Sequence, residues 1–539
     1  MTKKCKIWKI RFMLLKNVLR DFCSEFDVFL LDFLDKKINL AKRINPHAAH
    51  NLEEIKKLIM AGGKRIRPFL VFLGFGLFGQ INDKNKLEIF KIGASLELFH
   101  TFALIHDDII DDSLIRRGRP TIEQNYLDFF DQLEKNTEKR NYQQQNNLES
   151  DPNSELKTTS STSSQNLENR SLAIKNAKKT LSVQNGLNFK INLTGNLADN
   201  LTQKYSEQTR KLSSSAAILA GDYAHTLADS LINSVQNEQV REIYYQMQFE
   251  LVAGQIDDCF GISLESLDKI TRENVLNMLI CKSGNYSIQK PLLMGINLAI
   301  GNFDNNLETN LECFETEFDP NLTKPDEKLD NLGQVKKENK TQKAIQNITL
   351  SERLQNTQNK SGKENLENNQ KLQLDKISKL LGQMGQDLGL VFQLVDDILG
   401  VFGEDSVTGK SVVSDLESGK KTLLIVETWA NCNETEKQII LANLGNKNGN
   451  FEILKKLIKQ KGLDYVQKMV NELSQKSIQN MEKLQKMEEN WQINKNFNSQ
   501  THENQKIENN QNQSENVEVL NQNWQILLEL IDYLKNRKG

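Results

Sequence analysis

Cysteine is sparse in this sequence. Cys5, Cys23, Cys259, Cys281, Cys313 and Cys432 are scattered along the chain with no CxxC spacing. This argues against a disulfide-built scaffold or a structural zinc motif, and it fits a reducing compartment. A surplus of charge of one sign is also missing. Lys and Arg together number 69 and Asp and Glu 71, so no overall basic field marks a nucleic-acid partner. Long apolar runs are lacking as well. Arg11, Lys16, Arg20 and Asp21 interrupt the hydrophobic stretch at the start. That pattern suits neither a signal peptide nor a membrane span, and it reads as an amphipathic first helix. The expectation is a cytoplasmic protein with no membrane span.

Proline is rare, and strand-like alternation is absent. Of seven prolines, only Pro46, Pro68, Pro120 and Pro291 fall outside the polar tracts, each where a helix could begin or end. Apolar residues recur at intervals of three and four in LEIFKIGASLELFHTFALIHDDIIDDSL and in ISKLLGQMGQDLGLVFQLVDDILGVFG. These patterns predict an all-α protein without a sheet. Three Asn/Gln/Lys/Glu-rich tracts, at about 131–205, 302–372 and 488–515, have no sustained apolar period. They read as low-complexity insertions, disordered or weakly helical, and long surface loops cost little extra closure entropy. The remainder predicts one large helical bundle around a central cavity.

The most chemically loaded segment is LIHDDIIDDS. Asp107 and Asp111 are four apart, and Asp108 and Asp111 three apart, so a helix gathers their carboxylates on one side. Like charges on an apolar helix repel each other, and burying them unpaired is costly. A multivalent cation resolves both problems, and all-oxygen ligands suit Mg²⁺ shared with substrate phosphates. A second pair, Asp396 and Asp397, stands on another apolar helix. Gly400 occupies the place that would complete DDxxD, and Glu404 and Asp405 follow. If the two helices face each other across a core, they form a metal–diphosphate clamp.

Basic residues complement the acids. GGKRIRP, residues 62–68, combines two glycines with three cations, as a diphosphate cradle would. Arg116 and Arg117 follow the acidic helix directly, and guanidinium forks suit bidentate phosphate contacts. Lys282, Ser283, Lys410 and Lys420 are weaker candidates. His100 lies seven residues before Asp107, on the same helix face.

Taken together, these motifs resemble the trans-isoprenyl diphosphate synthases, the polyprenyl synthetase family. The resemblance runs through GGKRIRP, ELFHTFALIHDDIIDDSLIRRGRPT, AILAGDY, GQIDD, KSGNYSIQKPL, FQLVDDILGVFG and TGKSVVSDLESGKKTLL, in that order. It implies the isoprenoid synthase fold, a homodimer, and two or three Mg²⁺ ions held by Asp107, Asp108, Asp111, Asp396 and Asp397. It implies that Lys64, Arg67, His100 and Arg117 bind isopentenyl diphosphate. Arg116, Lys282, Ser283, Gln393, Lys410 and Lys420 would serve an allylic diphosphate such as dimethylallyl, geranyl or farnesyl diphosphate. Those aspartates together with Lys282 would form the catalytic set. Phe99, Phe102 and Ala103 would set product length, with geranylgeranyl diphosphate the expected product and farnesyl or longer diphosphates the alternatives. A catalytically silent regulatory subunit is a rival reading because of Gly400. A class I terpene synthase fits less well, since GGKRIRP and an Asp-pair second motif are both present.

Overall fold

Helix punctuation in the sequence accounts for most element boundaries. The computed structural model describes residues 13–149, 205–301, 350–403, 414–500 and 510–537. After α1 (Met13–Ile44), the Asn45 side chain accepts from the His47 amide and Pro46 opens α2 (Pro46–Met60). The glycine turn leads to α3 (Ile66–Phe78). An Asn82–Asn85 capping box then starts α4 (Asp83–Ile110), which carries the first acidic motif at its far end. A two-residue hairpin, β1 (Ile115–Arg116) paired with β2 (Arg119–Pro120), corrects the expectation of no sheet. Its turn places Arg117 and Gly118 at positive φ, the geometry that matches the twist of paired strands.

Next come α5 (Ile122–Glu149), α6 (Glu207–Ile232) and α7 (Glu238–Ile256). Helix α7 passes into a π-helical stretch at Asp257–Ile262. Helix α8 (Arg272–Leu279) passes into a second, Ile280–Gln289, followed by α9 (Lys290–Ile300). The second half comprises α10 (Leu350–Phe402), the short α11 (Ser414–Glu417), α12 (Leu423–Ala430), α13 (Glu434–Asn443), α14 (Phe451–Lys461), α15 (Leu463–Gln500) and α16 (Asn510–Asn536). The main packings are α4 on α6, α3 on α9, and α10 on both the second π-helix and α15. One apolar core runs through all of them, and no described helix is long and apolar enough to cross a membrane.

Helices α5, α10, α15 and α16 extend into the flanks of the polar tracts, further than their composition suggests. The centres of the first two tracts, and 501–509 of the third, lie outside the described residues, as do Cys5 and Cys313. Where the chain returns after the first tract, Tyr205 donates to Asp128 at 2.5 Å, and Ser206 and Thr209 donate to Glu134 at 3.0 and 2.8 Å. These bonds clasp the start of α6 to α5.

Candidate active site

Helix α4 places its carboxylates at its C-terminal end, where the backbone dipole is itself negative. That arrangement is unfavourable without cations. The hairpin returns Arg116 to the helix end, where Nε and Nη2 both bond Asp108 Oδ1, the former at 2.8 Å. Arg116 Nη2 also lies 3.7 Å from Asp107, and Gln255 of α7 approaches Asp107 at 3.4 Å. Asp108 is buried, while Asp111 opens to solvent. The Asp111 carboxyl titrates above its ordinary range through lost hydration and then the neighbouring Asp107. Burial works to lower the Arg116 pKa, but Asp108 and Asp107 hold it raised.

The second acidic pair sits on α10. Asp397 is buried, accepts a 2.9 Å bond from Gln393, and has one carboxylate oxygen with no hydrogen-bond partner. Burial pushes its carboxyl up to about 7, with Gln393 opposing and Asp415 assisting. Asp415 of α11 fills the space over Gly400, where a Cβ would collide with its carboxylate. A third acid therefore reaches this motif from another segment. Glu404 and Asp405, the compensating acids weighed from the sequence, lie outside the described residues.

Lys420 joins the two acidic motifs. Its ammonium is 3.4 Å from Asp415. Burial acts to lower its pKa, and the combined field of Asp415, Asp111, Asp107 and Asp397 overcomes that and holds it raised. Lys282, in the second π-helix, is held by Asp258 at 2.6 Å. Asp258 and Lys420 both lie within the field at Asp111, and so does Lys282. Two acidic helices distant in sequence thus share one polar region.

The cationic side is built around the glycine turn. Arg65 is buried in the left-handed conformation and ties α3 to Asp27 at 2.8 Å and Glu97 at 2.7 Å. It is a structural member of the cluster. Arg67 donates to Ser287 at 2.7 Å and lies over the Tyr286 ring at 4.2 Å, while its Nε has no partner. Arg117 donates to the Leu58 carbonyl at 3.1 Å. Burial lowers the Arg117 pKa, with Glu97 opposing and Arg65, Arg116 and Arg67 adding to the fall. A Cβ on Gly63 would sit 2.8 Å from Arg65 and 3.4 Å from Arg117, so the glycine keeps the guanidinium groups close. His100 Nδ1 pairs with the Tyr286 hydroxyl at 2.6 Å. Burial and then the surrounding arginines drive its pKa well below the usual range, so it is a neutral hydrogen-bonding group. The result is a cluster of cations with spare donors, which suits an oxyanion-rich ligand.

Below the acids, rings pack closely. Phe102 lies 4.7 Å from His106 and 4.9 Å from His225, and Phe99 contacts Phe102, Tyr244 and Tyr286. Ala103 packs beside them as a partly buried residue. Phe99 and Phe102 are therefore members of an aromatic layer contributed by four segments.

The structure brings together Arg67, His100 and Arg117 on one side, and Asp107, Asp108, Asp111, Arg116, Lys282, Gln393, Asp397 and Lys420 on the other, while exposed Lys64, on the same glycine turn, reaches Tyr533. Ser283 is half-buried in the second π-helix, and Lys410 lies outside the described residues. Asp396 pairs with Arg537. Asp258, Tyr286, Asp415 and Arg537 had no distinctive signal in the sequence. The first three stand in recognised motifs and Arg537 in none, and each role depends on a partner elsewhere along the chain. A cavity of about 440 Å³, lined by His50, Glu54, Tyr126 and Phe129 among others, contains none of these acids. It is a separate feature behind the hairpin.

Mg²⁺ is compatible with this donor set. The ligands on offer are carboxylate oxygens, and the unpartnered buried oxygen of Asp397 needs a cation or a proton. Among the described residues, no three His, Cys, Asp or Glu side chains form a ready-made cage. Mg²⁺ characteristically binds through one or two carboxylates plus substrate phosphates, and does not require such a cage.

Comparison with known proteins points the same way. A family described as Polyprenyl synthetase matches residues 49–129 and 332–461. The geranylgeranyl diphosphate synthase of Saccharolobus solfataricus is 22% identical over 453 residues, covering 83% of this chain and 89% of that protein. Component 2 of the heptaprenyl diphosphate synthase of Bacillus subtilis is 51% identical over 65 residues, 12% of this chain and 18% of that protein. Among solved structures, a Corynebacterium glutamicum geranylgeranyl pyrophosphate synthase complexed with isoprenyl diphosphate and magnesium shares the fold. Its TM-score is 0.53 at 20% identity, over 88% of this chain and 97% of that one.

Proposed function

We propose that this chain, a trans-prenyltransferase of the trans-isoprenyl diphosphate synthase (polyprenyl synthetase) family, condenses isopentenyl diphosphate with an allylic diphosphate and makes geranylgeranyl diphosphate. One observation carries the reading: two acidic motifs hundreds of residues apart share the field of Lys420, and a separate cluster of cations includes Arg67 with an unpartnered Nε. Asp107, Asp108, Asp111, Asp396 and Asp397 would hold Mg²⁺, with Asp415 supplying the acid that Gly400 lacks. When bound, the metal would neutralise charge on the leaving diphosphate. Arg116, Lys282 and Lys420 orient that diphosphate and stabilise its developing charge. Lys64, Arg67 and Arg117 hold isopentenyl diphosphate so that its double bond meets the allylic carbon as the C–O bond breaks. Neutral His100, bonded to Tyr286, adds a hydrogen bond there without adding charge. Buried Ile105 and Leu394 help exclude water from the cationic carbon. The departing diphosphate accepts the proton lost after condensation, which leaves a chain five carbons longer.

Product length follows from the aromatic layer. Phe102 and Phe99 close the space below the acids, and the growing tail stops against them. Incubating the purified chain with isopentenyl diphosphate and each allylic primer, then identifying products by mass spectrometry, tests the proposal. Geranylgeranyl diphosphate should predominate, and Phe102→Ala should shift the distribution to longer chains. An unchanged distribution removes Phe102 as the floor. No product from any primer would favour the silent-subunit reading. Homodimerisation and a cytoplasmic location complete the proposal. The first is supported by exposed Tyr245, Phe249, Val252 and Ile256, which recur at helical spacing along α7.

A further inference from the structure

The end of α16 and Arg537 directly after it touch both halves of the proposed site. Arg537 forms an ion pair with Asp396, donates to the Phe392 carbonyl at 2.8 Å, and lies over the Phe392 ring at 4.1 Å. The arginine side chain is only 7% exposed, whereas that of Asp396 is 46% exposed. Arg537 Nε has no hydrogen-bond partner. A nearly buried guanidinium thus covers the inner side of an acid that remains open outward. One turn earlier on the same face, the Tyr533 hydroxyl accepts from Lys64 at 3.0 Å, and the Lys64 ammonium lies 5.7 Å from the Tyr533 ring. The helix upstream is anchored by buried Trp524, Leu527, Leu530 and Leu534. With Leu534 buried inside the last turn, movement at this end would be limited to the Tyr533 side chain and the residues after Leu534.

A guanidinium and a divalent cation cannot share one carboxylate at close range without strong repulsion. The contacts are ordinary ones, but they occupy groups that substrate loading requires. We propose that Arg537 is a resident counter-cation for the second acidic motif, displaced from Asp396 when divalent metal and diphosphate enter, and that Tyr533 ties this release to Lys64 at the other substrate site. The inference rests on the reading of Asp396 as a metal ligand given above. The end of α16, with Arg537 just beyond it, is then a strap across the site. It keeps the carboxylate of Asp396 compensated and the Lys64 ammonium hydrogen-bonded until ligands take over.

Manganese binding tests this directly, because free Mn²⁺ is counted by electron paramagnetic resonance without any turnover. The full chain is titrated with Mn²⁺ alone and with inorganic pyrophosphate. Arg537→Gln should bind Mn²⁺ about tenfold more tightly than the unaltered chain when pyrophosphate is absent. Adding Asp396→Asn should cancel that gain, the sign of a direct coupling between the two positions. Pyrophosphate should narrow the difference. Equal Mn²⁺ affinity in Arg537→Gln and the unaltered chain would overturn the counter-cation role. It would leave the metal reading intact if both still bind with pyrophosphate. Failure of both to bind with pyrophosphate would remove the metal reading and the inference with it. If Arg537→Gln does not fold, Arg537→Lys keeps the charge without the fork. It should then bind Mn²⁺ with intermediate affinity, and no change would count against the proposal. Hydrogen exchange supplies a second readout. Amides at 535–537 should exchange faster with Mn²⁺ and pyrophosphate bound, and unchanged exchange would overturn the strap.

Discussion

Asp387 shows what one residue can contribute to pH dependence outside the proposed chemistry. It is buried in α10, accepts from Gln383 at 3.0 Å, and lies 3.6 Å from Lys476, beyond hydrogen-bond range. Burial pushes its carboxyl up to about 6, with Lys476 and Gln383 opposing. The folded state therefore holds this proton more tightly than the unfolded chain. The stability it confers is complete below about pH 4 and is lost as the pH rises through about 6. Asp387→Asn should be more stable than the unaltered chain at pH 8 by about 1–3 kcal/mol, with the gain vanishing near pH 4. Urea unfolding at both pH values measures it, and an equal difference at the two would refute the assignment. Residues of this kind are not visible in sequence. Asp387 precedes the acidic motif by nine positions and carries no mark separating it from Asp396. Asp107 and Asp111, by contrast, were legible because their spacing alone forces crowding on a helix.

At the level of elements, the apolar period identified the helices that carry both acidic motifs, and the prolines marked places where helices begin or end. It could not reveal the two π-helical stretches, because an extra residue per turn leaves composition unchanged. These stretches set the site, since Asp258 lies in one and Lys282, Ser283, Tyr286 and Ser287 in the other. The second is pressed against α10 through glycine. A Cβ at Gly389 would collide with the backbone of Gly284. Gly389→Ala must separate α10 from the π-helix, and should destabilise by about 1–3 kcal/mol or more. It should also weaken activity more than Gly382→Ala, where the nearest atom lies at 3.8 Å at the end of the Gln289 side chain. Thermal unfolding of both variants checks the order. The hairpin escaped prediction for a related reason. Two-residue strands are too short for any alternation to register, although Arg117-Gly118 was suited to a tight turn.

Across the whole molecule, α7 and the π-helical stretch after it leave large apolar side chains on the surface. Tyr245, Phe249, Val252, Ile256 and Phe260 are 40, 64, 47, 54 and 65% exposed. The first four recur at helical spacing, so they form one stripe. An apolar stripe of this length commonly marks an interface. Phe249→Asp combined with Ile256→Asp should convert the proposed dimer to a monomer in light scattering, with helicity retained. Monomeric unaltered protein would remove the homodimer proposal. The clasp at Tyr205 and Glu134 has a different consequence. Side chains, not peptide continuity across 150–204, hold α6 against α5. A polypeptide severed in that interval should therefore persist as two mutually adhering fragments, so this junction offers a place to split the enzyme for complementation.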